Sequence, residues 1–262
     1  MAKSAAATAT ILRDVRALLE ARAEDREGRA DRNGKPKAGV AQPRSPLKAL
    51  GVKSSFVRSI AREIQTKNKP GMDYAAALAL VDAAVARKVR EEILVALDVL
   101  DRYRRDFAPG LFSRVEKWSA VADDLEVAEA LGVRAAAPAL ALEPGKLAVV
   151  KKWARLRSVG KRRLSVLAAV GLVSEGRREA ASVLELAEML LHEEHPAMVS
   201  AVAGLLRETT KVDAKAVQDF LFRRSVDGNP DILRAGSENL DAARRAALIA
   251  KLEAQAALVA AD

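Results

Sequence analysis

From residue 47 onward the chain reads as one short amphipathic helical segment after another, and no stretch alternates apolar and polar residues in the manner of a strand. Proline and glycine punctuate the succession at Pro70-Gly71, Pro109-Gly110, Pro144-Gly145, Gly160, Gly176, Pro196 and Gly228, positions that suit helix starts and stops. The spacing predicts helices over residues 54–66, 73–86, 89–107, 111–131, 134–142, 144–157, 161–173, 179–191, 196–209, 213–223, 230–235 and 240–259. A further helix is expected over 4–24, where Ile11, Val15, Leu18 and Leu19 recur at helical spacing. Short helices joined by tight turns, with Ala and Leu on their packing faces, favour stacked antiparallel helix pairs. A degenerate period of about forty residues fits HEAT-like repeats. The expected fold is therefore all-α: a single HEAT-like α-solenoid domain over residues 1–262, with a concave basic face lined by alternate helices.

Between the first helix and residue 47 the sequence turns polar and basic, with prolines and glycines and cations at Arg29, Arg32, Lys35, Lys37 and Arg44. A flexible basic loop is expected over 25–46, either clamping a strand or simply solvated. The Ala-rich tail 240–262 is expected to form a C-terminal helix that caps the stack or meets a partner.

Half of the residues are hydrophobic, enough for a sizeable core, while 44 Lys and Arg against 35 Asp and Glu leave a formal charge of +9. That excess favours polyanionic partners. There is no cysteine, which removes disulfides, thiolate nucleophiles and cysteine zinc sites. His192 and His195 fall one residue short of a helical zinc pair and read as surface residues, so no metal and no cofactor are expected. No uncharged run approaches the roughly eighteen residues of a membrane span. A soluble, cytoplasmic monomer is expected.

The charge concentrates in KKWARLRSVGKRR, residues 151–163, where Lys151, Lys152, Arg155, Arg157, Lys161, Arg162 and Arg163 place seven cations on thirteen residues with no acid among them. Such a row is self-repelling unless an anion faces it, and a phosphate backbone is the commonest anion able to do so. A solvated helix face is the plainer alternative. Lys117 and Arg207 are candidates to extend the same groove. Trp118 and Trp153, the only tryptophans, are both flanked by lysine. Core packing is the default for Trp153, whereas Trp118 reads equally as a core residue or as an aromatic lying against a nucleic-acid strand.

Four segments in register, GVKSSFVRSIAREI (residues 51–64), WSAVADDL (118–125), Lys152-Trp153 with Arg163 ten residues beyond the tryptophan, and LLRETTKVDAKAVQDFL (205–221), resemble the bacterial DNA alkylation repair proteins of the AlkC/AlkD superfamily. The resemblance implies a HEAT-like solenoid whose basic concave face holds duplex DNA, and glycosylase activity that releases N3- and N7-alkylated purines without flipping the base. It also implies a cleft built from a tryptophan at Trp118, an arginine at Arg163, a carboxylate four residues after the first tryptophan, and a second tryptophan ahead of the LRE segment. Here the carboxylate position is Ala122 and the second tryptophan position is Gly204. Glycosidic cleavage through an oxocarbenium-like state relies on a negative charge opposite the sugar. Asp123 and Asp124 are the substitute candidates, although on a helix they point about 100° and 200° away from residue 122. Three readings follow: an alkylpurine glycosylase, a non-catalytic homologue that binds DNA structure, or a repeat scaffold for an acidic protein segment. In the first two, Trp118, Lys151, Lys152, Arg155, Arg157, Lys161, Arg162, Arg163 and Arg207 contact DNA.

Overall fold

The computed structural model describes residues 2–30, 45–174 and 179–259. Among the described residues there is no strand, only an isolated parallel bridge between Lys48 and Val89. The contacts group the chain into two compact units, Met1–Ala135 and Ala136–Asp262.

The first unit contains α1 (Ala2–Ala30), α2 (Ser54–Lys67), α3 (Tyr74–Arg87), α4 (Arg90–Asp101), α5 (Leu111–Trp118) and α6 (Leu125–Leu131), and a π turn at Gly132–Ala136 runs across its last residue, Ala135. Alternate helices stack: α1 on α3, and α2 on α4 on α6, giving two layers. The apolar spacing dictates the faces. On α2, Val57, Ile60, Ala61 and Ile64 follow the three-and-four rhythm of a single helical stripe and all are buried. α4 is the middle helix of its layer and also packs on α3, and its residues from Glu91 to Leu97 are all buried. Its two buried acids have defined work. Glu91 accepts from the backbone N–H groups of Leu50 (2.9 Å) and Gly51 (2.8 Å), fixing the segment that leads into α2. Glu92 pairs with Arg16 of α1 (3.2 Å) and Arg87 of α3 (3.1 Å), tying three helices together.

The second unit contains α7 (Ala137–Leu142), α8 (Leu147–Ala154), α9 (Val159–Ala169), α10 (Ala180–Glu188), α11 (Pro196–Thr210), α12 (Ala214–Arg223), α13 (Pro230–Gly236) and α14 (Ala242–Val259). One layer runs α7, α9, α11, α13; α10, α12 and α14 stack as the other, so the unit repeats the two-layer scheme. Both units are thus all-α helical repeats. Their packing is close enough that glycine is required at Gly171, where a Cβ would lie 1.9 Å from the carbonyl oxygen of Ala137. The C-terminal helix buries Leu248 and Leu252, and Lys251 donates to the Phe222 carbonyl (2.9 Å), so α14 covers the end of the α10–α12 layer.

The structure departs from the sequence reading in several places. The helix expected over 89–107 ends at Asp101 and is followed by a 3-10 turn at Arg104–Asp106. α1 continues to Ala30 through residues expected to open the loop, because of those from 25 to 30 only Gly28 disfavours a helix strongly. Residues 31–44 of that expected loop lie outside the described residues. The single helix expected over 111–131 is broken after Trp118 into a 3-10 turn (Ser119–Val121) and a fresh start at Leu125, because the Asp124 side chain caps a new helix. The helix expected over 144–157 begins with a 3-10 turn at Pro144–Lys146 and ends at Ala154, leaving residues 155–158 as a turn.

Gly171→Ala is expected to lower stability by about 3 kcal/mol, since the obstructing atom is backbone and cannot rotate away. Gly71→Ala, at a site with open space around the Cβ, should be close to neutral. Thermal or urea unfolding of the two variants beside the parent checks the contrast.

Candidate nucleic-acid interface

The basic stretch occupies the end of α8, the turn 155–158 and the first turn of α9. Ser158 starts α9 by accepting from the Lys161 backbone N–H (3.2 Å), a standard N-cap. Trp153 is buried beneath the turn with Val150 and Ala154, which is its core role. Three of the cations are committed to the fold. Lys151 pairs with Glu185 of α10 (2.6 Å). Arg162 forks onto both carboxylate oxygens of Glu193, the Nη2 contact being 3.0 Å, and its Nη1 donates to the carbonyls of Leu156 (3.0 Å) and Arg157 (2.7 Å). Arg163 is half-buried and donates to the Ala197 carbonyl at the start of α11 (3.0 Å).

The other four behave differently. Lys152, Arg155 and Arg157 are exposed, Lys161 is half-exposed, and none of the four has a carboxylate partner among the described residues. Four cations on one short stretch, without carboxylate partners among the described residues, leave positive charge that phosphate can meet. This resolves the run of seven into an anchor set and an outward set.

Around Trp118 the structure is less open than the sequence allowed. The indole is 1% exposed, and its Nε1–H donates to Asp82 of α3 (2.7 Å). Asp82 is exposed and also holds Arg114 of α5. Trp118 therefore packs in the core of the first unit and presents no ring face for a base or sugar to stack on, while Lys117 beside it is exposed. Ala122 is fully buried in the turn that follows.

Of the two candidate carboxylates, Asp124 is committed elsewhere. It is 3% exposed; Oδ1 accepts from the backbone N–H groups of Glu126 (3.0 Å) and Val127 (3.1 Å), and Oδ2 pairs with Arg90 of α4 (2.6 Å). Burial alone would raise its pKa, but the Ser45 hydroxyl, the Val127 N–H and Arg90 outweigh burial and hold it below the ordinary 3.8. Its oxygens are thus engaged in capping α6 and pairing with Arg90. Asp123 is exposed in the same turn.

Arg207, on α11, donates to the Ala235 carbonyl (3.1 Å) and pairs with Glu238 (3.1 Å). It borders a cleft of about 570 Å³ between α11 and α13, floored by Val199 and Ala203 and edged by Arg234 and Arg245. Next to it Gly204 is open: a Cβ there would have only the Arg207 guanidinium nearby, at 3.8 Å. His195 caps α11, its Nδ1 accepting from the Ala197 N–H (3.2 Å), and His192 is exposed.

Sequence reasoning missed the acids that sort these cations. Glu193 sits inside the HEEH motif and Glu185 on α10, each more than thirty residues from its partner, where no local spacing signals the pairing. It also missed Asp98, half-buried on α4 beside Arg134 (2.6 Å); loss of solvent raises the Asp98 pKa and the arginine offsets only part of that rise.

The family model for the DNA alkylation repair enzyme matches residues 15–240. The chain, an all-α helical repeat carrying a concentrated cationic turn, belongs to that family. A search of curated proteins finds no match. No helix among the described residues is long and apolar enough to cross a membrane.

Asp124→Ala removes a helix cap and strands Arg90, for an expected loss of about 3 kcal/mol at neutral pH. Because the folded pKa lies below the unfolded one, the Asp124 contribution is present above the ordinary value and is lost as pH falls through the folded value. The gap between parent and variant in a denaturation series should therefore shrink as pH drops below about 4. Asp123→Ala, on an exposed side chain, should change stability by no more than about 0.5 kcal/mol.

Proposed function

We propose that this protein binds duplex DNA through the outward cations Lys152, Arg155, Arg157 and Lys161, with little sequence preference, and acts in the recognition of alkylated or distorted duplex rather than as an efficient glycosylase. The observation that carries the binding half is the division of the basic stretch: four cations around one turn without acid partners among the described residues, held in place by a fifth, Arg162, that is itself pinned by Glu193. Membership of the DNA alkylation repair family supports the choice of DNA as the polyanion. In this reading the protein works in the cytosol.

The chemistry half rests on the turn after Trp118. A charge opposite the sugar is the main electrostatic contribution to glycosidic cleavage, and Ala122 offers none. Asp124 is occupied, and Trp118 is buried with its Nε1–H on the exposed Asp82. Asp123 is the exposed carboxylate of that turn, so any residual base release in this reading depends on it.

Four phosphate contacts give a salt slope of about −3.6, so duplex affinity should fall roughly a hundredfold between 50 and 200 mM salt. The double variant Arg157→Glu with Lys161→Glu should bind weakly and lower the magnitude of the slope by about two. Unchanged affinity in that variant removes these residues from the interface, and if an acidic peptide competes better than duplex the protein is a scaffold instead. Incubation with duplex containing 7-methylguanine should release base no faster than the protein-free control. Release that Asp123→Asn abolishes would make the protein a glycosylase with a displaced acid.

A further inference from the structure

The turn that carries the free cations also carries an exposed leucine. Leu156 is 40% exposed, one of few large apolar side chains in the described residues that are so open, and it lies between Arg155 and Arg157. Single exposed leucines are common on protein surfaces and by themselves carry no meaning. Two further observations set this one apart.

The first is how firmly its backbone is held. The Leu156 N–H donates to the Trp153 carbonyl (3.2 Å), and its own carbonyl accepts from Arg162 Nη1 (3.0 Å). The same guanidinium takes the Arg157 carbonyl (2.7 Å) while its other edge is locked onto Glu193. Buried Trp153 lies at one end of the turn and the Ser158 cap at the other. A side chain on so short and so tied a turn cannot retreat into the core, and keeps its apolar surface in water. The second observation is its surroundings: the four cations without acid partners, Lys152, Arg155, Arg157 and Lys161, come from the last turn of α8, the turn itself and the first turn of α9, with Leu156 among them.

An exposed apolar side chain on a tied backbone, with phosphate-seeking cations before and after it along the chain, has the chemistry of a wedge. Minor-groove proteins place leucine and similar side chains between base steps, and flanking Arg and Lys hold the backbone on either side. From this geometry we infer that Leu156 enters a base step of the bound duplex from the minor groove and partly unstacks it. The unstacking is least costly where pairing or stacking is already weakened, so the wedge favours damaged or mismatched steps over intact ones. The inference rests on the duplex-binding reading above and deepens it: the cations supply affinity, and the leucine supplies discrimination for a deformable step.

Short duplexes with 2-aminopurine at a mismatched step test this, since the fluorescence of that base rises when it unstacks. The full-length protein should raise the signal at saturation, and Leu156→Met should preserve the rise. Leu156→Ala should abolish it and weaken binding to the mismatched duplex about tenfold, while keeping the salt slope. An equal rise with Leu156→Ala, or no rise with the parent protein at saturation, overturns the wedge and leaves duplex binding standing. Unchanged duplex affinity in the Arg157→Glu, Lys161→Glu variant instead overturns duplex binding, and the wedge with it.

Discussion

Close stacking of alternate helices is the constraint on which each unit depends. In the second unit it is tight enough at Gly171 that no side chain fits between the 3-10 turn after α9 and the Ala137 carbonyl, and at Gly236 a Cβ would press on Leu206. In the first unit buried alanines such as Ala61, Ala77 and Ala84 keep the helices near one another, and the buried carboxylates Glu91 and Glu92 join what the alanines leave unspecified. A repeat of this kind is stabilised by neighbour contacts, so every helix must present a dry face to the next. Polar side chains are then left for the helix ends, and it is there that the basic turn and the caps at Asp124, Ser158 and His195 are found.

Much of this was legible because helical repeats write their packing locally. The stripe on α2 and the proline at the first position of α11 mark their elements directly in the sequence. What failed to show was whatever depends on a partner distant in the chain. In the segment after Trp118, Ala122, Asp123 and Asp124 continue an acceptable helical pattern, and only the tertiary pull of Arg90 on Asp124 reveals that one helix ends and another is capped there. The basic stretch has the same character. Nothing in KKWARLRSVGKRR says that Arg162 is structural and Arg157 is not; Glu193 decides it from the loop before α11.

The basic stretch was legible as a concentration of charge, and the partners of its members were not. The sequence located the positive charge, but Arg163 proved to brace the start of α11 and Trp118 to fill the core against Asp82. Leu156 gave no signal at all, since an isolated leucine in a polar turn looks the same whether it folds inward or stands out. Exposure is a property of the folded backbone, and here the Arg162 fork sets it.

The scarcity of aromatic side chains has an optical consequence. The chain's two tryptophans fall one to each compact unit, and both indoles are buried, Trp118 against Asp82 and Trp153 under the basic turn. Each unit thus carries a single tryptophan already shielded from solvent. With the other tryptophan replaced by phenylalanine, its emission colour follows the melting of that unit, so the cooperativity of the whole chain can be read by comparing two single-tryptophan variants without attaching any dye.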